Sequence, residues 1–183
     1  MGHGARVLID RLRMRKDNVK ALGQHFLNNE EILDETMRLA EISPDDHVIE
    51  IGPGPGVLSI ELLRLGSKVT AIEISQDVCD FLDSELNHER FNLLNGDALS
   101  VQWPENITHV VANIPYGISS PIIERIQEYH QSKPLMGVAL LVQREFAQRM
   151  AMKSVPKDRG PLGIALWLDF ECRIVSDVPP SSF

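Results

Sequence analysis

Short apolar runs alternate along this chain with segments whose apolar residues recur at helical spacing. The runs predict buried strands at 47–51, 68–74, 91–94, 108–113 and 136–142. Between them, the spacing predicts helices at 57–65, at 76–86, from residue 119 onward and at 145–152. This alternation favours an α/β fold with an open, mostly parallel sheet and helices on both faces.

The two ends of the chain show other patterns. Asn28 followed by Glu31 is typical of a capped helix start, and the apolar residues of 32–42 continue at helical spacing. Near the other end, the prolines and glycines of 153–163 predict a loop. The segment 164–178 has the character of strands, and we expect a hairpin-like pair added antiparallel to the sheet.

Three alternate glycines follow the first predicted strand: Gly52, Gly54 and Gly56, preceded by Glu50. Glycine lets the backbone turn tightly and approach a ligand, and the next helix directs its free N–H groups to the same place. The loop matches neither G-x-G-x-x-G nor the G-x-x-x-x-G-K-[ST] of nucleotide-hydrolysing enzymes. It therefore favours an adenosine-type ligand without a pyrophosphate.

Polar residues also end the next strands. Glu73 lies about 20 residues past the first loop glycine, where an acid in such folds binds ribose hydroxyls. Asp97 follows the third strand, and its carboxylate suits an adenine amine. Each acid taken alone is more often a helix cap or a solvated turn. Their succession at strand ends favours one site, because ligands of such sheets bind there.

The fourth strand ends in the most specific motif, Asn113-Ile114-Pro115-Tyr116. A base amine is a poor nucleophile because its lone pair is delocalised, and a site helps by accepting its hydrogen bonds. The Asn113 oxygen and the Ile114 carbonyl suit this role, while Tyr116 offers a stacking face for the base. Methyl transfer would then depend on positioning and electrostatics, with Pro115 stiffening the turn.

Charge is unevenly distributed. The net charge is −8, yet residues 1–20 sum to +4. Such a basic arm either contacts phosphates or is a solvated, partly disordered leader, and composition does not decide between them. No apolar run reaches the roughly 20 residues that span a membrane, and no signal peptide is recognisable.

Cysteine and histidine usage argues against a metal centre. Cys79 and Cys172 lie far apart, which fits a reducing cytosol and no disulfide framework. His88, His109 and His130 are expected on the surface or in loops, and no spacing suggests metal ligands.

With these motifs, the sequence resembles the small-subunit ribosomal RNA adenine N6,N6-dimethyltransferases, relatives of the erythromycin-resistance methyltransferases. The branch-specific residues Ile114 and 118–121 favour the archaeal and eukaryotic side of the family. The matching motifs run in family order: 23–27, 50–56, Glu73, 96–98, 113–116, 142–145, 160–163 and 178–183.

The resemblance implies a Rossmann-like S-adenosylmethionine-dependent methyltransferase fold, with a mostly parallel central sheet and helices on both faces. It divides the chain into a basic N-terminal arm, 1–22, and a catalytic domain, 23–183, without the helical domain that usually follows in the family. The cofactor would be S-adenosylmethionine, the product S-adenosylhomocysteine, and no metal is expected.

The resemblance also implies residue roles. His25 and Leu27 would border the methionine end of the cofactor, and Asp97 with Ala98 would hold its adenine. The full cofactor set is His25, Leu27, Glu50, Gly52, Gly54, Gly56, Glu73, Ile74, Asp97, Ala98 and Asn113. The catalytic set is Asn113, Ile114, Pro115, Tyr116 and Phe183, in which Tyr116 and Phe183 stack on opposite faces of the flipped adenine.

The implied function is transfer of methyl groups to the N6 amines of two adjacent adenosines near the 3′ end of small-subunit RNA, in ribosome biogenesis. The chain would be a cytoplasmic monomer that acts on this RNA or on the immature subunit, without a membrane. One alternative is an assembly factor that binds immature subunits irrespective of methylation. Another is a different nucleic-acid adenine N6-methyltransferase, such as the DNA enzymes with Asn/Asp-Pro-Pro-Tyr, but Ile114 departs from that motif.

Overall fold

A computed structural model describes residues 5–15, 29–152 and 161–179. Within them, five strands form one sheet in the order β3-β2-β1-β4-β5. Every neighbouring pair is parallel. The strands are β1 His47–Ile51, β2 Lys68–Glu73, β3 Phe91–Asn95, β4 His109–Asn113 and β5 Gly137–Leu141. The predicted parallel α/β sheet is confirmed, and each strand boundary lies within one residue of its predicted position.

Helices connect the strands and cover both faces of the sheet. They are α1 Ala5–Arg15, α2 Glu30–Ala40, α3 Val57–Arg64, α4 Gln76–Glu85, α5 Ser119–Ser132, α6 Arg144–Met150 and α7 Pro161–Asp169, with a 3₁₀ turn at Tyr116–Ile118. None of the helices in the described part of the chain is long and apolar enough to cross a membrane.

The strand order places a switch point at β1. The chain passes from β1 outward through β2 to β3, and then returns to the opposite side of β1 as β4. At such a point the connections on the two sides diverge, and a crevice opens beyond the carboxyl ends of the strands. All five residues of β1 are buried, whereas those of the edge strand β5 are only half-buried.

Two apolar clusters pack on the two faces of the sheet. Val48 lies in one cluster with residues of α1–α4, and Ile49 lies in the other with residues of α5–α7. Because successive side chains of a strand point to opposite faces, Glu50 shares the face of Val48 and points towards α3. This placement brings a carboxylate into a largely apolar layer.

The basic N-terminal segment is partly a packed helix. Leu8, Ile9 and Leu12 of α1 are buried in the cluster that contains α2–α4. Arg11 of α1 forms an ion pair of 2.5 Å with Glu85 of α4. For residues 5–15, the interpretation as a solvated leader is therefore wrong.

The predicted cap of α2, Asn28, is wrong by one residue. The N-cap of α2 is Asn29, whose side-chain oxygen accepts hydrogen bonds from the N–H groups of Glu31 and Ile32. The helix predicted from residue 119 onward does begin there, as α5, with Ile118 at its N-cap position.

The prediction for 153–163 and 164–178 is also wrong where the structure describes these residues. Pro161–Asp169 is a helix, and 170–179 has no regular secondary structure. Proline suits the first position of a helix, and a short apolar run does not by itself distinguish a strand from a buried helix. The expected antiparallel pair is thus absent from the described residues.

His109 is buried, contrary to the expected surface position, with 3% of its area exposed. It begins β4, and Gly137 lies opposite it on β5. A Cβ on Gly137 would lie 2.7 Å from Cδ2 of His109, so the ring occupies the space that a side chain would need there. This burial depends on strand register, which the sequence around His109 does not reveal.

Candidate active site

The glycine loop connects β1 to α3 through three left-handed residues. Gly52, Gly54 and Gly56 have φ angles of 67°, 53° and 83°. These angles are strained for residues that carry a Cβ. A Cβ on Gly56 would also lie 2.9 Å from side-chain atoms of both Leu82 and Leu86, whereas a Cβ on Gly52 would meet nothing within 4 Å. Gly56 is thus required for packing, while Gly52 borders open space that a ligand would share.

Glu50 is fully buried at the end of β1, just before this loop. Its Oε2 accepts a hydrogen bond of 2.5 Å from Oγ of Ser59 on α3. Its Oε1 has no partner among the described residues. Burial raises the pKa of Glu50 to about 7, hydrogen bonds from Ser59 oppose the rise, and nearby Glu73 adds to it.

Glu73 occupies the matching place at the end of β2 and is 1% exposed. Its Oε1 accepts a hydrogen bond of 2.9 Å from the Ser75 N–H. Burial raises the pKa of Glu73, and the backbone N–H groups of Ser75, Gly54 and Ile74 oppose this shift. Its Oε2 finds no donor in the described part of the chain. A buried acceptor left without a donor costs about 1–3 kcal/mol, so Oε2 is a ready acceptor for a ligand hydroxyl.

The turn after β3 is held by Asp97. Its Oδ1 accepts a hydrogen bond of 2.9 Å from the Leu99 N–H. The next residue, Ala98, is buried, and its carbonyl accepts a hydrogen bond of 3.1 Å from Nε1 of Trp103. Asp97 thus stabilises a turn, which is the ordinary role of such an acid. Its side chain is exposed and so remains accessible to a ligand.

Asn113 ends β4 and is half-buried. The Ile114 side chain is buried, and its N–H donates to the Leu141 carbonyl over 3.0 Å. Pro115 is exposed, and its carbonyl accepts from the Ile118 N–H over 3.1 Å. The motif is therefore anchored to β5 on one side and to the 3₁₀ turn on the other.

The sheet brings these predicted residues together at the carboxyl ends of its strands. Ile51 of β1 pairs with Ile72 of β2 and with Ala112 of β4, so Glu73 and Asn113 each follow a residue paired with Ile51. The exposed side chain of Ile74, 67% accessible, adds an apolar surface beside them. The predicted residues that lie outside the described ones are His25, Leu27, Phe183 and the side chain of Tyr116.

Sequence reasoning missed Ser59. It is a fully buried polar residue on the inner face of α3, beside the apolar residues Val57, Leu58 and Leu62. The apolar spacing of this helix places position 59 on its inner face. A polar residue at such a position is the signal that would have revealed Ser59.

The rest of the described structure contains a cavity and shows no arrangement of metal ligands. A cavity of about 480 Å³ lies between β5, α5, α7 and residues 169–176, and neither the glycine loop, Glu73 nor Asn113 lines it. No group of three His, Cys, Asp or Glu residues within 5–15, 29–152 and 161–179 is arranged to hold a metal ion.

The family model described as ribosomal RNA adenine dimethylase matches residues 15–183. The chain belongs to the ribosomal RNA adenine dimethylase family. This confirms the resemblance recognised from the motifs, and the leaning towards the archaeal and eukaryotic branch stays a prediction. The helix α1 lies almost entirely before the matched region.

Individual members of the family show similarity over most of this chain. The chain is 36% identical to ribosomal RNA small subunit methyltransferase A from Nostoc sp., over 90% of this chain and 65% of that protein. A dimethyladenosine transferase from Plasmodium falciparum has a TM-score of 0.66 and 35% identity, over 79% of this chain and 52% of that one.

The 23S rRNA methyltransferase ErmE is similar at a TM-score of 0.61 and 28% identity, over 70% of this chain and 52% of that one. These similarities confirm the Rossmann-like methyltransferase fold. The chain spans about 65% of the length of the curated relative from Nostoc sp..

Proposed function

We propose that this chain is a methyltransferase that uses S-adenosylmethionine to methylate the N6 amine of adenosine in small-subunit ribosomal RNA. The observation that carries the proposal is Glu73 at the end of β2, a buried carboxylate with one oxygen that has no donor among the described residues. The chain that carries it belongs to the ribosomal RNA adenine dimethylase family. Relatives named ribosomal RNA small subunit methyltransferase A support the substrate class.

The residues present fit the cofactor. Within the part of the chain that the structure describes, Glu73 Oε2 has no donor, and the two hydroxyls of a ribose are donors of the required kind. The exposed Ile74 side chain provides an apolar surface for an adenine ring, and Asp97 an acceptor for its amine. The open space at Gly52 leaves room for the rest of the molecule beside the loop. The bound cofactor would supply a methyl group activated by its sulfonium charge.

Asn113 and Ile114 would orient the target amine. In this proposal the Asn113 side-chain oxygen and the Ile114 carbonyl accept hydrogen bonds from the amine and hold its lone pair towards the methyl group. The anchoring of Ile114 through Leu141, and of Pro115 through Ile118, supports this role because a preorganised acceptor needs little rearrangement during the reaction. Tyr116 and Phe183 would stack on the flipped base.

The finer features follow from family membership. We propose that the chain modifies two adjacent adenosines near the 3′ end of the RNA, on the immature small subunit and during ribosome biogenesis. The division into an arm at 1–22 and a catalytic domain at 23–183, the monomeric state and the cytoplasmic location remain predictions. His25 and Leu27 remain predicted neighbours of the methionine end of the cofactor.

The test is transfer of tritium from labelled S-adenosylmethionine to under-methylated small ribosomal subunits, with base analysis of the product. N6,N6-dimethyladenosine is the expected product. Calorimetric titration of the cofactor accompanies it. Absence of both binding and transfer would contradict the proposed site. Subunit binding that is indifferent to Glu73→Gln, without transfer, would favour the assembly-factor alternative.

A further inference from the structure

Ser59 links the two ends of the glycine loop. The chain leaves β1 at Ile51, passes through the loop and enters α3 at Val57, two residues before Ser59. The Ser59 hydroxyl then reaches back across the loop to Oε2 of Glu50, over 2.5 Å. Both side chains are fully buried, so the contact is shielded from water. A hydrogen bond to a carboxylate is stronger than one between neutral groups, especially in such surroundings.

The other fully buried serine hydroxyl of this region makes a different contact. Ser67 follows α3, is equally buried, and donates to the backbone carbonyl of Leu62 over 2.8 Å. That bond completes a helix end, as is common for serine. Ser59 instead donates to an acid that precedes the glycine loop. The two serines thus separate the effect of a buried hydroxyl from the effect of the contact with Glu50.

We propose that Ser59 is a positioning residue for cofactor binding, which holds the Glu50 carboxylate and thereby fixes the span of the glycine loop. The inference rests on the proposed function, because the cofactor is the ligand that we expect at this loop. Ser59 acts through Glu50 and is not itself expected to contact the cofactor.

The surroundings of Glu50 explain why one donor matters. Ser59 is the donor on its α3 side, and Glu73 on β2 is the charged group that acts on it from the neighbouring strand. On β4 its register partner is Val111, which carries no charge. Loss of the Ser59 hydroxyl removes one of the two Ser59 donors, the side chain and the backbone N–H, that oppose burial and Glu73, and both burial and Glu73 favour the protonated form. A protonated, less firmly held Glu50 would attract a cationic cofactor less.

Calorimetric binding of S-adenosylmethionine between pH 6 and 9 tests the inference. Ser59→Ala should weaken binding about tenfold at neutral pH, the equivalent of one pKa unit, and part of the affinity should return as the pH rises. Ser59→Thr should retain the affinity because it keeps the hydroxyl. Ser67→Ala is the matched control and should bind as the wild type does. Should Ser59→Ala fail to fold, Ser59→Cys keeps the volume with a weaker donor and should weaken binding in the same direction.

A double variant decides whether Ser59 acts through Glu50. In the Glu50→Gln background, Ser59→Ala should change the affinity for the cofactor much less than it does in the wild type. Equal effects in both backgrounds, or wild-type affinity in Ser59→Ala at every pH, would overturn the inference.

A cofactor-independent measurement separates this inference from the proposed function. In free protein labelled with ¹³C at the glutamate carboxyls, the resonance lost in Glu50→Gln identifies Glu50. Its titration midpoint should rise in Ser59→Ala and stay unchanged in Ser67→Ala. An unchanged midpoint in Ser59→Ala would overturn the inference even if the cofactor binds. Failure of the wild type to bind the cofactor would overturn the proposed function, and the positioning role with it.

Discussion

Buried polar groups are hydrogen-bonded differently at the two ends of the strands, which we call the amino edge, where the strands begin, and the carboxyl edge, where they end. At the amino edge, the His47 ring is hydrogen-bonded through Nδ1 to Asn106 over 3.0 Å and through Nε2 to Thr70 over 2.8 Å. At the carboxyl edge, Glu50 and Glu73 each keep one buried oxygen without a partner among the described residues. His47, Thr70, Glu50 and Glu73 belong to the same central strands, β1 and β2, and are all buried.

A second buried histidine at the amino edge, His109, also has polar partners. His109 Nδ1 lies 2.9 Å from the Thr108 hydroxyl and 3.4 Å from Oδ1 of Asp46. The other Asp46 oxygen accepts hydrogen bonds of 2.7 and 2.8 Å from the N–H and hydroxyl of Ser43. A network that is satisfied internally stabilises the fold and offers no acceptor to a ligand.

This difference in hydrogen bonding indicates that the amino edge stabilises the fold and that the carboxyl edge is suited to bind a ligand. Each unpartnered buried acceptor costs about 1–3 kcal/mol, which is considerable for a domain stable by about 5–15 kcal/mol. Such a cost is regained when a ligand supplies the missing donors. Variants at the carboxyl edge should therefore affect binding and activity, and variants at the amino edge should affect stability.

The largest expected effect compares two asparagines at opposite edges. Asn113→Ala should lower the rate of methyl transfer about 100- to 1000-fold, because it would remove the acceptor that we propose for the target amine. Cofactor affinity should change little. Asn106→Ala is the matched control at the amino edge and should lower the melting temperature without changing the activity of the folded protein. The assay is tritium transfer to under-methylated subunits, alongside thermal unfolding.

If Asn113→Ala retained its activity, the proposal that Asn113 orients the target amine would be contradicted. Loss of cofactor binding together with activity would instead mean that the contact with the cofactor, which the resemblance also implies for Asn113, accounts for the lost activity.

The next effect concerns Glu73. Glu73→Gln keeps the shape but removes the charge, and it should weaken cofactor binding about 10- to 100-fold, as expected for a hydrogen bond to a charged group. Its free energy of unfolding without ligand should stay equal or rise, because the buried charge is gone. Glu89→Gln, on an exposed turn, is the matched control and should change neither quantity. Calorimetry and denaturant unfolding measure the two quantities.

A Glu73→Gln variant that is clearly less stable yet binds the cofactor normally would reverse the comparison between the edges. Glu73 would then be a structural residue, and the ribose would require another acceptor.

The same comparison shows what the sequence reveals and what it does not. The sequence predicts the glycine loop, Glu73 and residues 113–116 as one site because each lies at or just after the end of a strand, and parallel strands bring their carboxyl ends together. The roles of Ser59 and His109 depend on partners across the fold, Glu50 for the first and Gly137 for the second. Such contacts arise from register and packing, and no local pattern determines them.

The predicted strands at 164–178 failed for another reason. The run 162–168 is apolar throughout, apart from Gly163, so it fits a buried strand and a buried helix equally well. Pro161 and the packing of Leu166 into the cluster with α5 and α6 favour the helix α7. Tertiary packing decided what the local sequence left open.

The smallest expected effect is the dependence of stability on pH, which should differ in sign between the two edges. Burial lowers the pKa of His47 and His109, so their contribution is present above the unfolded pKa of about 6.5 and is lost as the pH falls through the folded pKa. Burial raises the pKa of Glu50 to about 7 and also raises that of Glu73. Their contribution is present below the unfolded pKa and is lost as the pH rises through the folded pKa.

Thermal unfolding between pH 5 and 8 tests this opposition through two variants. Glu50→Gln should be more stable than the wild type at pH 8 by about 1 kcal/mol, and the difference should shrink towards pH 5, where Glu50 is protonated in the folded protein. His47→Gln should show the opposite trend, with its largest loss of stability at pH 8, where the wild-type imidazole is neutral and hydrogen-bonded on both sides. Parallel pH profiles for both variants would mean that the orphaned carboxylates and the completed histidine network do not differ in their energetics. Opposite slopes would show that one sheet carries a stabilised edge and an edge kept ready for a ligand.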